Sequence, residues 1–215
     1  MKKLLIIFIT IIGLSQVQAQ SKYKLKDHIQ FGGYLKYMQT NVIQNADTIL
    51  TDNLIHNRLN LKIQLPKNFT FGTGVRIRAF YGEVTKGGVI AGNATGNPYS
   101  DQLKGYDGVL NLERTWVNGN SLIINSIMDR LWLDFSKGDW EIRVGRQRVN
   151  WGLNTVWNPN DLFNALNYLD FDYEERPGSD AVRVQYYVGE MSSIDVAYKW
   201  AENPKNNVAA IKYKF

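Results

Sequence analysis

Apolar and polar residues alternate along most of this chain, in eight separate runs. The clearest run has leucine or isoleucine at every odd position from 59 to 65 and a polar residue at every even position from 58 to 64. A period of two residues is typical of β-strands, whose successive side chains point to opposite faces of a sheet. The eight predicted strands cover residues 29–40, 56–65, 69–81, 127–135, 140–147, 181–188, 194–200 and 209–215.

The connections between these runs alternate between short and long. Residues 66–68, 136–139 and 189–193 are tight turns, whereas residues 41–53, 82–126 and 150–178 are long loops. Asn118-Gly119 predicts a further hairpin within 109–124, as an extension of the wall. Tight turns on one rim and long loops on the other are typical of transmembrane β-barrels. The pattern therefore predicts an all-β, antiparallel transmembrane β-barrel, with about eight membrane strands in this chain.

A soluble β-sandwich or barrel is the alternative, because its strands alternate too. The longer runs, however, reach the length of about ten residues that a tilted membrane strand needs. The N-terminus also carries an export signal: Lys2 and Lys3 precede an apolar stretch at 4–14, and Val17-Gln18-Ala19 suits cleavage. We therefore predict a signal peptide at 1–19, an outer-membrane β-barrel domain at 20–215, and residence in the bacterial outer membrane.

Composition restricts the chemistry further. The chain has no cysteine, so it forms neither disulfides nor thiolate metal sites. Its 12 Tyr and 6 Trp suit aromatic girdles at membrane interfaces. No metal-ligand cluster or phosphate-binding glycine loop is present, so no cofactor is predicted, and neither is a nucleic-acid partner. His28 and His56 are the only histidines, which leaves few candidates for an outer-membrane lipid-modifying enzyme.

If the apolar residues face lipid, the polar residues face the lumen, and the lumen is then strongly basic. The predicted lumen cations are Lys36, Arg58, Lys62, Arg76, Arg78, Arg130, Arg143, Arg183, Lys199, Lys212 and Lys214. The predicted lumen acids are Asp134, Glu141 and Asp195. A narrow barrel filled by side chains would bury uncompensated charge, whereas a water-filled pore would hydrate it and favour anions. A wider pore needs more than eight strands, so this chain is predicted to be part of a larger barrel or a protomer of one.

The loop at 150–178 has the most specific sequence. Asn158-Pro159 predicts the start of a short helix with Leu162, Phe163 and Leu166 on one face. We predict that the loop folds inward as a constriction, with its acids near Arg76, Arg78, Arg143 or Arg183. An external loop packed on its neighbours is the alternative. The predicted constriction residues are Trp151, Trp157, Asn158, Pro159, Asp161, Asp170, Asp172, Glu174 and Glu175.

Three segments of this region follow one another in a familiar order: Gly145-Arg146-Gln147 through Trp151-Gly152, then Trp157-Asn158-Pro159-Asn160-Asp161, then Arg176-Pro177-Gly178. The order resembles an uncharacterised family of bacterial outer-membrane channel proteins, which is similar to the alginate-export porins. The resemblance covers about residues 130–190. It implies a monomeric porin-like barrel with more strands than this chain supplies, so that the chain would be an N-terminal portion. It supplies no substrate.

The sequence thus predicts a porin-like channel, not an enzyme, for passive passage of small polar or anionic solutes. Its expected partners are outer-membrane lipid, the barrel-assembly machinery and those solutes. A small structural or adhesive barrel that acts through its external loops is one alternative. A lipid-modifying enzyme of the outer membrane is the second.

Overall fold

The computed structural model describes residues 28–45, 48–83, 85, 108–119, 121–151, 162–163 and 178–215. These residues form one antiparallel sheet of nine strands, which confirms the all-β prediction. The predicted signal peptide lies outside the described residues. The strands are β1 (Ile29–Asn45), β2 (Thr48–Leu65), β3 (Phe69–Gly82), β4 (Glu113–Asn118), β5 (Leu122–Lys137), β6 (Trp140–Gln147), β7 (Ser179–Tyr187), β8 (Ser193–Trp200) and β9 (Val208–Lys214).

The strands lie in the order β1-β2-β3-β5-β6-β7-β8-β9, and β4 is added beside β5. One edge of β5 pairs with β3, and its other edge is divided between two partners. β6 pairs with residues 131–137 of that edge, and β4 pairs with residues 123–127. The hairpin predicted at Asn118-Gly119 is confirmed, since Gly119 N donates to Leu122 O at 2.9 Å.

The sheet has a tall part and a short part. β1, β2, β3 and β5 form the tall part, with 17, 18, 14 and 16 residues. β6 to β9 form the short part, with 8, 9, 8 and 7 residues. A 3₁₀ turn, Pro204–Asn206, joins β8 to β9. In the described part of the chain, no helix is both long and apolar enough to cross a membrane.

The tall part corrects one prediction, because the described residues of 41–53 continue β1 and β2 instead of forming a loop. Here the ladder joins polar side chains: Thr51 Oγ1 donates to Asn41 Oδ1 at 3.2 Å, and Tyr37 Oη donates to Asn53 Oδ1 at 2.5 Å. Polar cross-strand pairs can stabilise a hairpin as apolar pairs do. The expectation of a loop followed from polarity alone, and was therefore wrong.

The tight turns lie where the sequence predicts them. Lys67 and Asn68 both have a positive φ, 61° and 66°, in the connection between β2 and β3. Gly138 has a φ of 58° between β5 and β6. Asn and Gly tolerate this backbone conformation well, which explains why the chain reverses at these points. We call this rim of the sheet the tight-turn end and the opposite rim the long-loop end.

The two faces of the sheet differ in an unusual way. The polar face, which carries Arg58, Arg76 and Asp195, is buried, whereas the apolar face, which carries Phe31, Leu35 and Ile211, is exposed. Arg58 is 3% exposed and Phe31 is 70% exposed. Among the described residues, β1 pairs only with β2 and β9 only with β8, so the sheet is not closed within them.

Candidate functional site

The polar face is held together by ion pairs between neighbouring strands. Arg58 Nη1 reaches from β2 across β3 to Asp129 Oδ2 on β5, at 2.8 Å. Gly74 lies beneath this contact, where a Cβ atom would come within 3.4 Å of both Asn60 and Arg130. A glycine is thus the residue that leaves room for the charged side chains of β2 and β5 to meet.

A second group of pairs crosses the short part. Arg143 donates to Asp134 at 3.0 Å and to Glu141 at 3.1 Å. Arg183 Nη2 donates to Asp195 Oδ2 at 2.6 Å. Charge-assisted bonds of this kind are among the stronger ones in proteins. The structure therefore compensates much of the cationic charge that the sequence places on this face.

All eleven predicted lumen cations lie on the polar face according to strand register. They differ in depth: Arg58, Arg76, Arg78 and Lys199 are buried, whereas Lys62 and Lys214 are exposed. The remaining predicted lumen cations are partly buried, namely Lys36, Arg130, Arg143, Arg183 and Lys212. On β2, burial of the polar face is greatest toward the long-loop end and decreases toward the tight turn, whereas on β8 the polar face is buried along the whole strand.

Three carboxylates of the polar face were missed, namely Asp52, Glu113 and Asp129. Glu113 Oε1 accepts from Asn125 Nδ2 at 2.9 Å. Asp129 lies at a β-bulge, where the register between β3 and β5 shifts after Gly74, and both Asp129 and Arg130 turn to the same face. The available signal was the pair of adjacent charged residues, since strict alternation would place one of them on the apolar face. Asp52 was assigned to a loop. It accepts from Thr85 N and Oγ1, at 3.1 and 2.6 Å.

The loop after β6 contacts the polar face at two described residues, Trp151 and Phe163. Trp151 Nε1 donates to Asp195 Oδ2 at 2.8 Å, and its ring meets the Phe163 ring edge-on at 5.2 Å. Phe163 is buried against Val149, Ala181 and Ala197. Phe163 therefore packs on the small side chains of β7 and β8, and the hydrogen bond to Asp195 holds Trp151 beside it.

Most of the predicted constriction lies outside the described residues: Trp157, Asn158, Pro159, Asp161, Asp170, Asp172, Glu174 and Glu175. Of the predicted helix face, Phe163 is buried but Leu162 is 52% exposed, and neither residue is helical. Arg143 and Arg183, two of the cations expected to bind the loop acids, are bonded to carboxylates of the strands instead.

A buried ion pair closes the long-loop end of the short part. Arg146 Nε donates to Asp180 Oδ1 at 2.7 Å, and both residues also bond the backbone of Leu110. We call this pair the rim clip. Gly145 before it has a φ of 113°, and its Cα lies against the backbone of Leu131, where a side chain would not fit. Gln147 donates to the carbonyls of Arg143 and Ala181.

The Gly145-Arg146-Gln147 segment is thus structural. It ends β6, turns Arg146 toward Asp180 and secures the segment that leads into β4. The break in alternation at Arg146 was visible in the sequence, but its partner Asp180, 34 residues away, was not.

The apolar face carries two rows of aromatic rings. At the tight-turn end, Phe69 lies 5.0 Å from Phe135 and Trp140 lies 4.7 Å from Tyr186, measured between ring centroids. The aromatic residues exposed toward the long-loop end are Tyr37, Tyr81, Trp116 and Trp200. The exposed aliphatic residues between the rows include Leu35, Leu59, Ile77, Leu133, Val144 and Val196.

The described residues contain no group of three or more His, Asp or Glu that could hold a metal ion. His56 is buried on the polar face, where its ring meets Tyr34 edge-on at 5.3 Å and its register neighbours are Lys36 and Arg78. His28 Nδ1 is 3.2 Å from Gln64 Oε1.

No protein-family model, no curated protein and no solved structure matches this chain. The resemblance to outer-membrane channel proteins therefore stays a prediction from the sequence.

Proposed function

We propose that this chain forms the wall of an outer-membrane β-barrel that acts as a porin-like channel for small polar or anionic solutes. The observation that carries the proposal is the sidedness of the sheet, which buries its ionic face and exposes its apolar face. Water-soluble proteins bury apolar residues and leave charged ones exposed. A barrel in lipid does the reverse, because its outer surface meets hydrocarbon and its interior is polar.

The aromatic rows support the same environment. Phe69 and Tyr81 mark them on β3, about 40 Å apart along the strand at about 3.3 Å per residue. A tilt of about 40° reduces this to roughly 30 Å along the membrane normal, close to the thickness of the hydrocarbon core. Rings at both boundaries and aliphatic residues between them are what such a band requires.

A barrel in lipid must also be closed, since hydrocarbon leaves no partner for the backbone of a free edge. The proposal therefore includes closure of the edges presented by β1 and β9. Closure of the larger barrel implied by the resemblance would require further strands. Folding of such a barrel in the outer membrane would depend on the barrel-assembly machinery.

Two features of the polar face favour a channel for solutes. Among the described residues of this face, cations outnumber acids even after Asp52, Glu113 and Asp129 are included, so the field of these residues favours anions. Trp151 and Phe163 lie over β7 and β8, which is the placement that a constriction needs.

A structural barrel is the second candidate, and a different observation favours it. On the polar face, Arg58, Arg76, Arg78, Asp129 and Asp195 are each at most 5% exposed. Such packing is what a narrow barrel filled by side chains would show. Conductance separates the two candidates.

The test is reconstitution of the mature chain in planar bilayers. We expect discrete conductance steps with a reversal potential that shows anion preference. Changing Arg76 and Arg78 to Glu should shift the preference toward cations, most strongly at low salt, where screening is weakest. Because these arginines are buried, the exposed Lys62→Glu is a second variant on the same face.

Lys67→Glu at the tight turn between β2 and β3 is the matched control, since it reverses one charge away from the polar face. It should leave selectivity nearly unchanged. Folded protein in bilayers without conductance would reject the channel and favour the structural barrel. Recovery of the chain as a soluble monomer would reject both.

A further inference from the structure

The polar face contains a hollow toward the tight-turn end of the tall part. Its volume is about 420 Å³, within the range of small-ligand pockets. The residues that shape it include Gln30, Gly32, Asn60, Lys62, Arg130 and Trp132, together with Gly72 below the indole. We propose that this hollow binds a small oxyanion of the phosphate type. The inference deepens the proposed channel, on which it rests for a supply of solute.

Glycines make the hollow possible. At Gly32 a Cβ atom would meet nothing within 4 Å, so the space above this residue is open. At Gly72 the Trp132 ring lies directly against the backbone, in the place where a side chain would be. A ligand can therefore approach the backbone closely at Gly32, whereas the indole forms the floor at Gly72.

The walls present donors and positive charge. Among the described residues that line the hollow there is no carboxylate. Arg58 and Arg130 both bond the neighbouring Asp129, at 2.8 and 3.4 Å. Lys62 adds an exposed ammonium group to the lining. Asn60 Oδ1 accepts from Arg58 Nε at 3.1 Å, which leaves the donating end of that amide for a ligand.

Trp132 restricts the kind of ligand. Gly72 covers one part of its indole, and the Arg143 guanidinium lies over the ring at 4.4 Å from the centroid. A ring with its faces occupied is not a platform on which a sugar or nucleobase can stack. The indole N–H can still donate a hydrogen bond to a ligand, and the indole has no acceptor that would repel an anion. Hydrogen-bond donors, the exposed Lys62 ammonium and an indole that offers no stacking surface together suit a compact oxyanion.

The experiment measures binding of inorganic phosphate to the folded mature chain in detergent, by calorimetry and by tryptophan fluorescence, against chloride at equal ionic strength. We expect saturable phosphate binding that Lys62→Gln weakens about tenfold, as for the loss of one charge-assisted bond. Gly32→Phe should abolish binding by filling the hollow while circular dichroism stays β-rich. Lys67→Gln, the same charge change outside the hollow, should leave affinity unchanged.

Each other result overturns the site. Equal weakening by Lys62→Gln and Lys67→Gln would mean diffuse attraction, and unchanged affinity in Gly32→Phe would place phosphate elsewhere. Micelles with short-chain phosphatidic acid distinguish a lipid headgroup from free phosphate, and binding of the headgroup alone rejects the proposal. Because binding is measured without conduction, phosphate binding in a non-conducting barrel would reject the channel but not the site.

Discussion

The tall and short parts of the sheet achieve a covered polar face by different means. In the tall part, β2, β3 and β5 continue toward the long-loop end, and their own side chains, such as Arg58 and Asp129, bond across the strands. In the short part the strands stop early; ion pairs such as Arg183–Asp195 cross them too, and Trp151 and Phe163 in addition cover small residues of β7 and β8. The difference indicates that a loop can replace wall height, provided that the short strands supply a seat and an anchor.

The free energy of unfolding should be most sensitive to changes in the rim clip, a buried ion pair where the short part ends. Arg146→Met or Asp180→Asn leaves one member of a buried ion pair without its partner. We expect either variant to lose about 3–5 kcal/mol of unfolding free energy. Urea unfolding in lipid vesicles, followed by tryptophan fluorescence, measures this loss.

The double variant Arg146→Met with Asp180→Leu is the control for the clip. It removes both charges, so it should cost clearly less than the two single losses combined. Additive losses would show that the two side chains act independently, and that the clip is not what joins the segment around Leu110 to the short part.

The anchor of the loop is the next target. Asp195→Asn removes the charge that accepts from Arg183 and Trp151, so we expect about 2 kcal/mol less stability. If the chain forms a pore, single-channel conductance should also rise, because Trp151 and Phe163 are held less firmly over the short part. Conductance steps before and after the change measure the effect.

Trp151→Phe provides the matched comparison, since it keeps an aromatic ring against Phe163 and removes only the N–H donor. Its conductance should rise less than that of Asp195→Asn. If both variants conduct like the unmodified chain, the loop contact does not limit the pore.

The last prediction concerns two glycines of the tall part. Gly72→Ala places a methyl group against the Trp132 ring, and overpacking of this kind costs about 1–3 kcal/mol. Gly32→Ala adds the same methyl group into open space, so it should change stability much less. Equal denaturant midpoints for the two variants would contradict the close approach of Trp132 to the backbone of β3.

The comparison also shows which features a single sequence reveals. The alternation in β2 and the reversal at Lys67 and Asn68 are local, and both were predicted correctly. The extension of β1 to Asn45 and the start of β2 at Thr48 were missed, because these strand ends lack the hydrophobic alternation while their polar side chains still pair.

The candidate site was less accessible to prediction. Cations of the polar face follow from parity, so Arg76 and Arg183 could be named. Parity also identifies Asp134, Glu141 and Asp195 as acids of the same face. Other ion pairs depend on events that parity does not describe: a bulge turns Asp129 inward, and a contact across 34 residues joins Arg146 to Asp180. The hollow requires two glycines and an indole from different strands, a combination that only the register reveals.

The division of one edge of β5 between β4 and β6 bears on the order of assembly. The sheet consists of three meanders that are local in sequence: β1 to β3, β4 to β6, and β7 to β9. Only the β3–β5 and β6–β7 ladders must close a long connection, and closing a longer chain segment has a larger entropic cost. We therefore expect the meanders to form first and to pair with one another afterwards along the β3–β5 and β6–β7 ladders, which are the two seams. Pulse-labelled hydrogen exchange would show this as amide protection within each meander before protection across the seams.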